Sequence, residues 1–319
     1  MDRRKIRVLH ISKYYHPFSG GTEQVARECV TALQESEKHL YEQVVFCFDH
    51  KGMKGARPGN HRSMDSVERI DGIRVVRCAC QVKVASQSLS FSYRRRLKAV
   101  FDQFRPDIVV FHYPNPFAAA YLLSFLKQEQ KLIVFWHLDI VKQKILGKLF
   151  SRQNHRLLRR ADRVIATSPN YLKGSPWLQG YTQKCAVIPN CIDESKFEKS
   201  DPEEVSAEGR IRKRFAGRIL CLAVGRHVAY KGFNYLIEAA RYLDENYAVV
   251  ITGAGGLTED LQRQAEALRE QEKLQGHGSK LPEIIFAGLI SDAELHAYLH
   301  ACDIFCFPSI TKNEAFGIA

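Results

Sequence analysis

The predicted fold rests on the stretch Arg218–Phe233, RILCLAVGRHVAYKGF. Its first half is a near-continuous apolar run, as expected of a parallel strand that is buried on both faces of a sheet. Gly225-Arg226 ends this run, and Lys231-Gly232 opens the helix that follows. A strand, a loop and a helix in this order form the repeating unit of doubly wound α/β proteins, whose ligands bind at the carboxyl ends of the strands.

The same alternation of apolar runs and helical patterns continues through the whole chain and predicts parallel sheets covered by helices. In the first half the predicted strands are Arg7–Ser12, Gln43–Asp49, Ile73–Arg77, Asp107–His112, Leu132–Trp136, Arg163–Thr167 and Cys185–Ile188, with helices that include Thr22–Glu35, Tyr93–Phe104 and Phe117–Glu129. In the second half they are Arg218–Val224, Ala248–Thr252, Glu283–Ala287 and Ile304–Pro308, with helices over Asn234–Leu243, Thr258–Lys273 and Asp292–Ala301.

The length of 319 residues favours two domains. The first is predicted over residues 1–193, and the polar, charged stretch 194–213 is predicted as a linker. The second domain is predicted over residues 214–319. We expect both domains to be doubly wound and to face one cleft, with ligands at the carboxyl ends of the strands.

The net charge of +12 indicates an anionic partner, which leaves nucleotide phosphates, nucleic acid and a negatively charged membrane surface open. No apolar run approaches the ~20 residues that span a bilayer, and the basic start lacks the long apolar region of a secretory signal. We therefore expect a cytoplasmic location. The nine cysteines lack the paired spacing of a zinc site, so no metal is expected.

Two glycine-rich turns follow predicted strands. Gly20-Gly21 opens the first helix, and Gly253-Ala254-Gly255-Gly256 follows a strand of the second domain. Glycine lets the backbone approach a ligand, and a helix amino terminus favours negative charge, so both turns are candidates for binding phosphate or sugar. A tight strand-to-helix turn without a ligand is the alternative.

Charged and polar residues at strand ends are the further site candidates. Arg226 and Lys231 flank one strand-to-helix loop and suit a diphosphate clamp, with two solvated surface cations as the alternative. His137 and Asp139 follow the strand Leu132–Trp136 and suit hydrogen bonds to sugar hydroxyls or the handling of an acceptor proton, with a structural histidine as the alternative. Glu314 suits hydrogen bonds from sugar hydroxyls, with a helix-dipole carboxylate as the alternative.

A basic, amphipathic helix is predicted over Lys142–Arg160. Its cationic side suits anionic lipid head groups, and a solvated surface helix is the alternative. The candidates for contact with a membrane or an acceptor on this helix are Lys142, Lys144, Lys148 and Arg152.

Taken in order, these residues resemble the GT-B glycosyltransferases of family 4, the retaining "glycosyl transferases group 1". The resemblance covers almost the whole chain and is carried by Gly20-Gly21, His137, Pro189-Asn190, Arg226 with Lys231, and Glu314-Ala315-Phe316-Gly317. It implies two Rossmann-like domains, and a donor diphosphate bound by Arg226 and Lys231.

The resemblance also implies a donor sugar contacted by Glu314, within a donor-binding signature that includes Phe316 and Gly317. Transfer in this family retains the configuration of the sugar and needs neither a metal nor a cofactor. Members that build lipopolysaccharide O-antigen or capsule look most similar. This implies a nucleotide diphosphate sugar as donor, a lipid-linked oligosaccharide as acceptor, and a peripheral position at the inner face of the plasma membrane.

Two departures from the family pattern stand out. Cys191 takes the place of the usual glycine, and the second glutamate of the family's Glu-x7-Glu motif would fall beyond Ala319. We therefore expect the second domain of a chain ending there to be incomplete and the 319-residue form to be inactive or nearly so.

Two other classes of protein compete with this interpretation. A two-domain, Rossmann-like NAD-dependent oxidoreductase requires a dinucleotide fingerprint, and the first strand-to-helix turn lacks one. A basic nucleic-acid-binding protein fits the net charge, but the sequence has no zinc-finger, RNA-recognition or OB signature. No nucleic-acid partner is expected.

Overall fold

The computed structural model describes residues 4–18, 20–36, 39–49, 63–84, 87–139, 144–190, 202–274 and 281–310, with only the backbone for 83–84, 87 and 144–149. The chain forms two compact units, which divide between Ile192 and Asp193. We call them the first and the second unit.

The first unit is built on an eight-stranded sheet with the order β10-β9-β8-β7-β1-β2-β4-β3. All neighbouring strands are parallel except β3, which runs antiparallel to β4. The strands are β1 (Ile6–Ile11), β2 (Tyr41–Phe48), β3 (Ser66–Ile70), β4 (Ile73–Cys78), β7 (Ile108–Tyr113), β8 (Lys131–Trp136), β9 (Arg163–Ala166) and β10 (Cys185–Val187), and a separate hairpin joins β5 (Val82–Val84) to β6 (Gln87–Leu89).

Five α-helices of the first unit are described: α1 (Gly21–Ser36), α2 (Tyr93–Phe104), α3 (Pro116–Phe125), α4 (Lys144–Arg160) and α5 (Pro169–Gly174). The core of the sheet includes large apolar side chains, and Phe46, Phe111 and Trp136 are fully buried. The seven predicted strands are confirmed, while β3, β5 and β6 were not predicted. The turn between β3 and β4 is Asp71-Gly72, with positive φ at both residues, and Asp-Gly is a hairpin signal.

The second unit is built on a parallel sheet with the order β13-β12-β11-β14. Its strands confirm the four predicted ones, and they are β11 (Ile219–Val224), β12 (Tyr247–Thr252), β13 (Glu283–Gly288) and β14 (Ile304–Phe305). The helices described here are α6 (Pro202–Arg214), α7 (Phe233–Ala239), α8 (Thr258–Leu274) and α9 (Asp292–Ala301). Helix α9 begins with a capping box between Ser291 and Glu294, which satisfies two backbone donors at once.

The stretch predicted as a linker is helical over α6. Ala207 and Ile211 on this helix are buried in one apolar cluster with Tyr298 of α9. Glu204 on α6 also lies 2.7 Å from Nδ1 of His296. Residues 202–214 therefore belong to the packed second unit, because their few apolar side chains lie on the face that meets α9.

Candidate functional site

Three loops of the second unit meet at the carboxyl edge of its sheet. They follow β11, β12 and β14, and backbone hydrogen bonds join them. The amide of Gly225 donates to Thr252 at 3.1 Å, that of His227 donates to Ala254 at 3.2 Å, and that of Ile310 donates to Tyr230 at 2.9 Å. The edge is thus one hydrogen-bonded assembly of loops.

Glycines make this close packing possible. A Cβ atom on Gly253, whose φ is +112°, would lie 2.0 Å from the carbonyl oxygen of Gly225. A Cβ atom on Gly255 would lie 2.4 Å from the carbonyl oxygen of His227, and one on Gly232 would lie 2.1 Å from that of Pro308. The sequence predicts Gly253 and Gly255 as residues that let a ligand approach, whereas in the structure each makes room for a neighbouring loop backbone.

The two predicted phosphate-binding cations lie on the loop after β11. Lys231 is only 8% exposed, and its Nζ atom lies 5.2 Å from the ring centre of Phe307. Arg226 is exposed, and its Nη2 atom donates to the hydroxyl of Tyr230 at 3.4 Å. The structure therefore brings both cations to the same edge, on either side of Tyr230.

His227 is a buried histidine of this loop that sequence reasoning missed. Its Nδ1 atom lies 2.9 Å from Oγ1 of Thr258, and its ring packs edge-on against Phe233 and Phe286. Burial lowers the pKa of His227, so the ring is neutral and positions the loop by packing. The position of His227 directly after Gly225-Arg226 was the sequence signal that could have identified it.

At the carboxyl edge of the first unit, His137 belongs to a buried group of histidines. Nε2 of His137 lies 3.1 Å from Nδ1 of His112, and the ring of His112 stacks at 6.2 Å from that of His10. Nε2 of His10 lies 3.0 Å from Oε1 of Gln43. His137 is predicted to project into a cleft, whereas in the structure it is 5% exposed and contacts His112.

Burial keeps these imidazoles neutral. It lowers the pKa of His10 from 6.5 to about 4 and that of His137 from 6.5 to about 3. The pKa of His112 is also well below its usual value, through burial first and then through the other two histidines. A neutral imidazole carries one hydrogen-bond donor and one acceptor, which suits binding a hydroxyl group.

Asp139 anchors the loop after β8. Its Oδ1 atom accepts hydrogen bonds from Nε1 of Trp136 at 2.7 Å and from the hydroxyl of Ser175 at 2.9 Å. Asp139 was predicted to contact the acceptor, and one of its carboxylate oxygens is thus already hydrogen-bonded within the first unit.

Gly20-Gly21 lies at the start of α1, as predicted. A Cβ atom on Gly20 would meet the carboxylate of Glu23 at 2.5 Å, while one on Gly21 would have nothing within 4 Å among the described residues. The loop that leads to these glycines is held by Arg77 of β4, which sequence reasoning missed. Its guanidinium is 2% exposed and donates to the carbonyl oxygens of Tyr15, at 3.3 Å, and of His16.

On α4 the described side chains divide into two faces. Leu157 and Leu158 are buried, whereas Arg152, Arg156 and Arg159 are exposed. Lys142 and the side chains of Lys144 and Lys148 lie outside the described residues, and so do Glu314, Phe316 and Gly317.

Within the part of the chain that the structure describes, no helix is long and apolar enough to cross a membrane. The same residues hold no group of three or more His, Cys, Asp or Glu side chains placed to bind a metal ion.

The two α/β units have the GT-B fold, which similar solved structures show. Anabaena HepE in complex with UDP matches with a TM-score of 0.61 at 18% identity, over 96% of this chain and 74% of that one. The catalytic domain of starch synthase IV from Arabidopsis thaliana, bound to ADP and acarbose, matches with a TM-score of 0.67 at 18% identity, over 97% and 79%. WaaG, a glycosyltransferase involved in lipopolysaccharide biosynthesis, matches with a TM-score of 0.62 at 15% identity, over 96% and 76%.

Sequence comparison gives the family. Residues 20–191 match the "Glycosyl transferase 4-like domain" and residues 209–319 match "Glycosyl transferases group 1". The chain is 30% identical to the O-antigen chain mannosyltransferase C of Escherichia coli, over 98% of this chain and 75% of that protein. It is 34% identical to the D-rhamnosyltransferase WbpZ of Pseudomonas aeruginosa, over 77% and 59%.

This chain therefore belongs to the group 1 family of glycosyltransferases. Neither an NAD-dependent oxidoreductase nor a nucleic-acid-binding protein finds support in these comparisons.

Proposed function

We propose that this protein transfers a sugar from a nucleotide diphosphate sugar to a hydroxyl of a lipid-linked glycan during synthesis of a surface polysaccharide. The observation that carries the proposal is the position of Arg226 and Lys231 on one loop at the carboxyl edge of the second unit. The names of the two sequence relatives, an O-antigen mannosyltransferase and a D-rhamnosyltransferase, support the kind of product. HepE in complex with UDP supports a nucleotide-linked donor.

The proposed chemistry follows from the leaving group. A nucleoside diphosphate leaves without a strong general acid, so the main task of the protein is to stabilise the negative charge that develops on the phosphates. Arg226 offers a planar pair of donors, and Lys231 adds a compact charge. Of the two cations, Lys231 should interact more strongly with a phosphate, because its low exposure shields it from water.

Transfer is proposed to retain the configuration of the sugar. In this scheme the acceptor oxygen attacks on the face from which the diphosphate departs, and a phosphate oxygen takes its proton. The acceptor O–H bond and the donor glycosidic bond break while the new glycosidic bond forms, so no metal, cofactor or covalent enzyme intermediate is needed. Glu314, outside the described residues, is proposed to bind the donor sugar.

His137 is proposed to bind a hydroxyl of a substrate as a neutral imidazole. Its depressed pKa rules out a permanent positive charge at neutral pH. Its contact with His112 fixes the plane of the ring, because both rings stack with 11° between their planes.

A location at the inner face of the plasma membrane is also proposed. The exposed Arg152, Arg156 and Arg159 on α4 support it, because an anionic leaflet attracts such clusters of cations. A lipid-linked acceptor would lie on the same surface.

Ligand-dependent thermal stability tests the proposal. Melting temperatures are measured with UDP-sugars, GDP-sugars, NAD and an oligonucleotide, and transfer is followed by release of the nucleoside diphosphate. Stabilisation by a nucleotide sugar supports the proposal, and stabilisation by NAD or the oligonucleotide alone contradicts it.

A further inference from the structure

A cavity of about 570 Å³ opens on the first unit, well away from His137. It lies beyond the carboxyl end of β4 and before the start of α2, and Met64, Gln81, Phe91 and Arg95 are among its lining residues. Four strand spacings separate β4 from β8 in the sheet, which corresponds to about 19 Å along the edge. The cavity and His137 are therefore two separate places on the same edge of one sheet.

Phe91 is the unusual member of this lining. Its side chain is 88% exposed, although its backbone is held firmly. The amide of Phe91 donates to Oε1 of Gln81 at 3.1 Å. The hydroxyl of the next residue, Ser92, donates to Oδ1 of Asp65 at 2.8 Å, and this oxygen also accepts from the amide of Ala79 at 2.8 Å. An aromatic ring is thus presented to solvent from a fixed support.

Arg95 supplies polar chemistry beside this ring. The arginines on either side of it are engaged, since Arg94 lies 5.4 Å from the ring centre of Phe125 and Arg96 donates to the carbonyl oxygen of Ser66 at 3.0 Å. Arg95 is exposed and makes no hydrogen bond or ion pair with the described residues. The side-chain Nε2 atom of Gln81 is likewise without a hydrogen-bond partner in the described part of the chain, whereas its Oε1 atom accepts from Phe91. Both groups are donors and suit oxygen acceptors.

From this arrangement we propose that the cavity binds one sugar ring of the acceptor glycan, distant from the hydroxyl that receives the new sugar. The apolar face of a pyranose packs on Phe91, and its hydroxyls accept hydrogen bonds from Arg95 and Gln81. A largely apolar site with a few convergent polar groups is what such a ligand requires. This inference rests on the proposed function, and it assigns to the first unit a subsite that selects acceptors by length.

The test compares acceptors of two lengths. A mannose disaccharide and a mannose hexasaccharide are used with the protein as wild type and as Phe91→Ala, Phe91→Trp and Arg95→Gln. For the hexasaccharide, kcat/KM should fall on the order of tenfold in Phe91→Ala, through KM, and recover in Phe91→Trp. For the disaccharide, kcat/KM should be unchanged. The affinity for the nucleotide sugar should be unchanged in every variant.

A second measurement separates this inference from the proposed function. Binding of the free hexasaccharide is followed by NMR without any donor, so it can be read even if no transfer occurs. Loss of this binding in Phe91→Ala supports the subsite. Equal effects on both acceptor lengths, or hexasaccharide binding that is unchanged in Phe91→Ala, would overturn it. So would a loss of binding to anionic vesicles with hexasaccharide binding intact, because this would assign Phe91 to a lipid surface.

Discussion

Nδ1 of His112 lies 3.1 Å from Nε2 of His137, and the two rings stack at 5.3 Å between their centres. Only one of these two nitrogens can carry a proton in such a contact, so protonating both rings would break it. The pair thus links the candidate site at the end of β8 to the interior of the sheet, where His10 stacks on His112.

This buried group predicts a loss of stability in acid. Burial lowers the pKa of His10 to about 4 in the folded protein, from its ordinary value of 6.5. Above pH 6.5 neither state binds the proton, whereas between pH 6.5 and 4 only the unfolded state does, so stability falls as pH falls. In His10→Gln the free energy of unfolding should lose this pH-dependent part, roughly 3 kcal/mol. Urea unfolding at several pH values measures it.

The ion pair between Arg77 and Glu68 predicts a strong asymmetry between its partners. Removing one partner of a buried pair costs about 3–5 kcal/mol. Arg77 is 2% exposed and also donates to two loop carbonyl groups, whereas a Gln at position 68 would keep a side-chain oxygen that can accept from Arg77. Arg77→Met should therefore destabilise the first unit more than Glu68→Gln does. Arg77→Met also frees the carbonyl oxygens of Tyr15 and His16 from their donor. Urea unfolding measures both variants.

A matched control lies on the same strand. Arg74 is partly exposed, and its Nη2 atom donates to Oε1 of Gln103 at 3.5 Å. Arg74→Met should therefore change the free energy of unfolding by well under the effect of Arg77→Met. If Arg77→Met and Arg74→Met lowered the free energy of unfolding equally, the burial of Arg77 would add nothing to stability.

The glycines of the second unit should not tolerate a methyl group where another loop lies against them. Gly253 has a φ of +112° and a carbonyl oxygen 2.0 Å from the position of a Cβ atom. We expect Gly253→Ala to cost at least ~1–3 kcal/mol from backbone strain alone and to weaken nucleotide binding by displacing the loop of Arg226. Thermal unfolding and nucleotide titration measure these effects. Gly256→Ala is the control in the same loop, since nothing described lies within 4 Å of its Cβ position.

The strands of the second unit were predictable because buried parallel strands are almost wholly apolar. The predicted Arg218–Val224 corresponds to β11, Ile219–Val224. The edge strand β3, SVERI, was missed because none of its five residues is buried and two of them, Glu68 and Arg69, are charged. Helix α6 was missed for a related reason, since only a few apolar residues stand among its charges.

The residues of the candidate site also differ in whether the sequence could predict them. Arg226 and Lys231 were predictable because they lie five residues apart on one loop, within a local strand-to-helix pattern. His10 and His112 were not, because they join His137 only through the strand order β8-β7-β1. Arg77 and its two loop carbonyl groups are likewise joined only by the packing of β4 beside β2.

The exposed arginines of α4 predict membrane binding that depends on charge. Each surface cation is worth about 1 kcal/mol against an anionic leaflet. Replacing Arg152, Arg156 and Arg159 by Gln should therefore weaken binding to anionic vesicles by about 10²-fold. The matched control replaces three exposed cations of the second unit, Lys213, Arg269 and Lys273. Co-sedimentation at low and high salt measures binding, and equal binding to neutral and anionic vesicles would contradict the prediction.

Lys231 should carry much of the recognition of the donor phosphates. Removing one group that stabilises developing charge typically lowers turnover by about 10²–10³. The side chain of Lys231 is packed, with Cε 3.2 Å from the position of a Cβ atom on Gly225, so Lys231→Ala would leave a gap as well as remove the charge. Lys231→Met keeps most of the volume and removes only the charge. Both variants should lose turnover and nucleotide affinity, and Lys231→Met should keep the melting temperature of the unliganded protein.

The control is Lys213→Met, which replaces an exposed lysine on α6. It should behave as wild type in all three measurements. Wild-type turnover and nucleotide affinity in Lys231→Met would place the phosphate site elsewhere.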